Sequence, residues 1–250
     1  MADFVLVHGA WHGGWCYARV RDRLFAMGHR AFTPTLTGLG ERSHLLDESI
    51  DLHTHVKDVA NVIRWENLVD VTLVGHSYGG RVVAGAVEEL GSRISSVVLI
   101  DSPLAESGEP LAKQDSPRAI EVARARSEGR LGVRPPRASE FSVMTDEDRR
   151  WVDAKMTDHP IGVWSDRLEL TAALDRVPRK TYVWASRSQF PDRRAEVKAL
   201  CGREDWVVRE LPCGHDVMVD MPDDLVKILI TVCARRTFVS TKGDHYGVEG

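Results

Sequence analysis

Long apolar runs are missing from this chain of 250 residues. No segment approaches the ~20 consecutive apolar residues that a membrane-crossing helix needs. A surplus of one charge is missing too: 33 Lys and Arg against 37 Asp and Glu leave a net charge of −4. The two signs are interspersed, so there is no basic stripe for nucleic acid or for an anionic membrane surface. Cysteine is scarce. Cys16, Cys201, Cys213 and Cys233 form no CxxC pair and show no Cys/His zinc spacing. Neither a disulfide framework nor a metal centre is therefore expected, and the thiols are read as reduced and mostly buried. The N-terminal residues lack a basic stretch, and the apolar run 4–7 is too short for a secretion signal. The chain is expected to stay in the cytoplasm.

What the sequence does have is alternation. Short apolar runs alternate with helical stretches, the pattern of βαβ units and a parallel sheet. Strands are expected at 4–7, 29–34, 71–74, 94–100, 180–185 and 206–211. Helices are expected at 15–27, 55–66, 80–90 and 222–235, the first burying Val20, Leu24 and Met27. Between 103 and 177 the rhythm changes: the segment is rich in Arg, Glu, Ser and Pro, yet carries Phe141, Val143, Trp151, Ile161 and Trp164. That is too apolar for a solvated loop. The expected organisation is a core of 1–102 and 178–236, a mainly helical lid of 103–177, and a weakly patterned tail of 237–250.

Three short motifs carry the chemistry. Gly75-His76-Ser77-Tyr78-Gly79 is a GxSxG pattern, weak alone but placed between a strand and a helix. A nucleophile elbow needs that setting, because the serine takes a strained conformation between small neighbours. His8-Gly9-Ala10-Trp11-His12-Gly13-Gly14 follows the first strand, where this fold draws its second oxyanion donor. The backbone N–H groups of Ala10 and Tyr78 are the expected oxyanion hole. Pro212-Cys213-Gly214-His215-Asp216 lies just past the last strand and makes His215 the expected base. His8 is read as fixing its loop, and His12 and His76 as non-catalytic. His44, His53, His55 and His159 are read as solvated or near substrate.

Stretches 4–15, 36–42 and 74–80 resemble bacterial esterases of the α/β-hydrolase superfamily related to the plant methylesterase, salicylate-binding protein and hydroxynitrile lyase group. The resemblance implies an α/β-hydrolase fold: a mostly parallel central sheet flanked by helices, with the lid inserted after the sixth strand. It also implies ester hydrolysis without a cofactor, by Ser77 and His215. In that group the triad acid follows the penultimate strand, but here the stretch 186–190 holds no carboxylate. Asp192 comes only after Pro191. The other position used on this fold, the end of the preceding strand, holds Asp101, which keeps the chain order Ser–Asp–His. Asp101 is the expected acid and Asp192 the alternative. Trp11, Phe141 and Trp164 are expected to shape a pocket for a small apolar or aromatic ester or lactone. A homodimer is the quaternary state kept open. A ligand receptor with little turnover is the rival from another class. A hydroxynitrile lyase is disfavoured, because Gly9 and Asp216 stand where that group carries threonine and lysine.

Overall fold

The computed structural model describes residues 1–189 and 193–234; Asp192 and the expected tail 237–250 lie outside the described residues. The strands are β1 (Asp3–Val7), β2 (Arg30–Phe32), β3 (Val71–His76), β4 (Ile94–Ile100), β5 (Gly132–Val133), β6 (His159–Pro160), β7 (Arg179–Ala185) and β8 (Trp206–Leu211). The α-helices are α1 (Ala18–Ala26), α2 (Leu52–Trp65), α3 (Gly79–Leu90), α4 (Pro117–Ser127), α5 (Asp146–Asp153), α6 (Gly162–Ser165), α7 (Arg194–Cys201), α8 (Val217–Asp220) and α9 (Pro222–Ala234).

Six strands form one sheet in the order β2-β1-β3-β4-β7-β8, with every neighbouring pair parallel. Strands β1 and β3 are continuous apolar runs because helices cover both faces of such a sheet. The chain enters at β1, goes out to the edge at β2, and returns to β3 on the other side of β1. That reversal sets the loops after β1 and β3 side by side at the carboxyl edge, where open α/β sheets hold their ligands.

Helix starts are local chemistry. Asp51 caps α2 by accepting from the Thr54 amide at 2.7 Å, and Ser116 caps α4 by accepting from Ala119 at 3.2 Å. Helix α3 has no side-chain cap; its Gly80 and Arg81 N–H groups donate instead to the Ser77 and Tyr78 carbonyls, at 3.0 and 2.9 Å.

Two sequence expectations need correction. Strand β4 is the fourth along the chain, not the sixth, since the sheet holds no strand before β1. The first helix is shorter than expected: a 3-10 turn covers Gly14–Tyr17 and α1 stops at Ala26. Met27 thus leaves the helical face and is 55% exposed, while Val20 and Leu24 are buried.

The stretch between β4 and β7 is folded. It contains α4, α5, α6 and the antiparallel pair β5–β6. Its Val122, Val133, Phe141, Val143, Val152 and Trp164 belong to the same apolar cluster as the sheet. Among the described residues no helix is long and apolar enough to cross a membrane.

Candidate active site

Ser77 sits between β3 and α3 with φ +50°, in the left-handed region. For a residue with a Cβ this costs about 1–2 kcal/mol, so the surroundings must hold it there. They do: its N–H donates to the Ile100 carbonyl at 3.0 Å. Its carbonyl accepts from the Gly80 N–H at 3.0 Å and the Ser102 hydroxyl at 2.8 Å. The elbow leaves no room for side chains beside it. A Cβ on Gly75 would stand 2.8 Å from the Gly80 Cα, and one on Gly79 would stand 2.6 Å from the Val7 carbonyl.

His215 follows β8, and its backbone is held on both sides. Its N–H donates to the Phe141 carbonyl at 2.9 Å, and its carbonyl accepts from His76 Nε2–H at 3.0 Å. Its Nδ1–H donates to Asp101 Oδ2 at 2.7 Å, with both side chains buried. That bond leaves Nε2 with the lone pair, the tautomer a general base needs. Asp101 stands at the end of β4, also at positive φ (+43°), with its N–H on the Val183 carbonyl at 2.8 Å. The rings of His76 and Phe141 lie 4.5 and 5.6 Å from that of His215.

The loop after β1 presses against the elbow: a Cβ on Gly9 would meet Ser77 Cβ at 3.1 Å. Among the described residues neither the Ala10 nor the Tyr78 amide has an intramolecular hydrogen-bond partner. Buried histidines hold several of the peptides around them. His8 donates from Nδ1 to the Gly9 carbonyl at 2.8 Å and accepts the Leu36 N–H on Nε2 at 3.1 Å. Burial drives its ionisation down to about 3, so it stays neutral. His12 meets the Ala10 carbonyl at 2.8 Å and Asp216 Oδ2 at 3.1 Å. His159 accepts the Trp11 N–H at 3.2 Å.

Sequence reasoning missed part of this. Of its two readings of His55 and His159, solvated or near substrate, the solvated one does not hold, since both are fully buried. His55 accepts from the Tyr78 hydroxyl at 2.8 Å and donates to the Thr37 carbonyl at 2.9 Å. It gave no role to the contact of His12 with Asp216. The only local cue was an aspartate directly after His215 and a histidine two residues after Ala10. Cys213 is a buried free thiol, pushed up to about 12 by burial and so inert as a nucleophile.

Trp11, Phe141 and Trp164 come together as a buried aromatic wall, with Trp11 5.5 Å from Trp164 and 6.0 Å from Phe141. Arg118 lies over both tryptophans, at 4.7 and 4.9 Å. Arg118 also lines a cavity of about 800 Å³ bounded by Arg81, Leu104 and Arg134. Pro103, which follows Ser102, and Arg81 of α3 line it, and the three aromatics do not. Among the described residues no cluster of three His, Cys, Asp or Glu could hold a metal ion.

Comparison with known proteins agrees with this architecture. The chain is 39% identical over 240 residues to a carbendazim hydrolyzing esterase of Nocardioides sp. (strain SG-4G), covering 92% of this chain and 98% of the relative. It is 33% identical over 111 residues to methylesterase 9 of Arabidopsis thaliana, covering 44% of this chain and 43% of that protein. Its fold matches an extracellular alpha/beta-hydrolase from a Paenibacillus species, described as sharing structural and functional homology with a tobacco salicylic acid binding protein. The TM-score there is 0.80 at 19% identity, over 93% of this chain and 99% of the other. A methylesterase from Arabidopsis matches with a TM-score of 0.75 at 21% identity, over 94% and 100%. The family model described as the alpha/beta hydrolase family matches residues 4–228, and the chain belongs to that family.

Proposed function

We propose that this hydrolase is a serine esterase in which Ser77, His215 and Asp101 cleave a small apolar or aromatic ester. The observation that carries the reading is the buried 2.7 Å bond from His215 Nδ1–H to Asp101, one strand from the strained Ser77. The serine Oγ attacks the carbonyl carbon while its proton passes to His215 Nε2, and Asp101 stabilises the imidazolium that results. The Ala10 and Tyr78 amides receive the developing oxyanion. His215 then gives the proton to the departing alcohol, and water releases the acid from Ser77 by the same route in reverse. No metal or redox partner enters these steps.

The segment 103–177 serves as a lid in this reading, with Trp11 and Trp164 supporting Arg118 at the wall of the adjoining cavity. The Asp101 contact also supplies the carboxylate that the stretch after β7 lacks, which weighs against a receptor with little turnover. A fluorophosphonate probe tests the proposal. Labelling confined to Ser77, and abolished by Ser77→Ala, is expected; a wild-type protein that resists the probe would be a receptor. Carbendazim, aryl esters, methyl esters and lactones form the substrate panel, the first because of the similarity to the Nocardioides esterase.

A further inference from the structure

Among the described residues three histidine–aspartate contacts are buried at the carboxyl edge of the sheet. The esterase reading uses that of His215 with Asp101; His76 Nε2, at 3.8 Å from Asp216 Oδ1, is too far for a hydrogen bond; one other remains. In the other, His12 Nδ1 lies 2.8 Å from the Ala10 carbonyl, which can only accept, so this nitrogen carries a proton. His12 Nε2 lies 3.1 Å from Asp216 Oδ2. Without a second proton there, two lone pairs would face each other in a site with exposures of 1% and 0%. The proton sits on the histidine side. Burial by itself would lower His12, but Asp216 outweighs it and raises the ring. Burial alone would raise Asp216, but His12 holds it down at about 2. The contact is an imidazolium–carboxylate pair.

Each end of that pair touches a different part of the machinery. Ala10 supplies an oxyanion amide, and the His12 bond fixes the peptide that follows it. The N–H of that same peptide, on Trp11, is held by His159 at 3.2 Å. The peptide is thus gripped at both ends while Trp11 sits at φ +64°, a conformation that relaxes when its restraints are lost. Asp216 directly follows His215, and its carbonyl anchors the turn of α8 by accepting from Val219 at 2.8 Å and Asp220 at 3.0 Å.

We propose that the His12–Asp216 ion pair is a positioning element that locks the oxyanion loop at Ala10 to the loop carrying His215. It rests on the esterase reading and adds to it a part that never touches substrate. With both His12 nitrogens engaged, this histidine cannot carry protons during turnover. A misplacement of the oxyanion donor by about 1 Å costs on the order of 10²-fold in rate, comparable to losing a donor.

Hydrolysis of p-nitrophenyl acetate by Asp216→Ala and Asp216→Asn tests this. Asp216→Ala is expected to lower kcat about 10²-fold with KM changed less than threefold. Asp216→Asn keeps a donor for His12 Nε2, so His12 stays bonded at both nitrogens without charge, and rescues kcat to within about tenfold of wild type. Unchanged kcat in a folded Asp216→Ala would overturn the proposal, because a merely structural pair moves only the melting temperature. Equal loss in both variants would also overturn it, since the carboxylate charge would then be what matters. If Asp216→Ala does not fold, ¹⁵N-histidine NMR of the wild type decides. An imidazolium that persists to higher pH than an ordinary histidine and is absent from Asp216→Asn is expected, and a neutral His12 overturns the proposal. Fluorophosphonate labelling of wild type, lost in Ser77→Ala, tests the esterase reading separately.

Discussion

Asp101 reaches His215 from the end of a neighbouring strand, whereas Asp216 reaches His12 from the residue next to His215 itself. Both pairs are buried and short, yet they are built for opposite ends. His215 gives one nitrogen to its aspartate and keeps a lone pair on the other, so it can take and return a proton. His12 spends both nitrogens on fixed partners and cannot. Burial and a carboxylate partner therefore do not make a histidine a base; a free nitrogen does.

The largest expected effect breaks the active pair's purpose altogether. Ser77→Ala should lower kcat by about 10⁵–10⁶, leaving what the oxyanion hole and binding supply, and steady-state hydrolysis of an aryl ester measures it. A variant turning over at wild-type rates would place the nucleophile elsewhere. Gly214→Ala strikes the loop that the two pairs share. Its Cβ would stand 2.2 Å from the Ser142 carbonyl, so the loop must move, and thermal denaturation should show a loss of about 1–3 kcal/mol. A melting temperature equal to wild type would mean the loop yields without strain.

Stability against pH sharpens the contrast. Asp216 is depressed from 3.8 to about 2, so its contribution is present above 3.8 and is lost as pH falls towards 2. His12 is raised above 6.5, so its contribution is present below 6.5 and is lost as pH rises past its folded value. The melting-temperature gap between wild type and Asp216→Asn should be widest between pH 4 and 6.5 and should narrow on either side. A gap that does not vary with pH would show that the pair is not charged. The smallest effect is expected at Asp192. With His215 Nδ1 already bonded to Asp101, Asp192→Asn should change the rate by less than about tenfold.

The placement of the short motifs was legible in the sequence. GxSxG between a strand and a helix located the elbow, because the strain at Ser77 demands small neighbours within two residues. The contact of Asp101 with His215 was legible through elimination and strand position, since the end of β4 lies beside the end of β3. The second pair was not legible, for His12 and Asp216 are 204 residues apart and only the folded sheet edge brings them together. The burial of His55 and His159 was not legible for the same reason. A histidine in a helix or a two-residue strand looks solvent-facing until its partners, the Tyr78 hydroxyl and the Trp11 amide, arrive from elsewhere.

The most direct test sets one aspartate against the other. Measured side by side on one aryl ester, Asp101→Asn should lower kcat by about 10³–10⁴, because His215 is left in the wrong tautomer without its counter-charge. Asp216→Asn should cost less than about tenfold, because His12 keeps both hydrogen bonds. A loss at Asp216→Asn that equals or exceeds the loss at Asp101→Asn would contradict the assignment of Asp101 as the partner of the base.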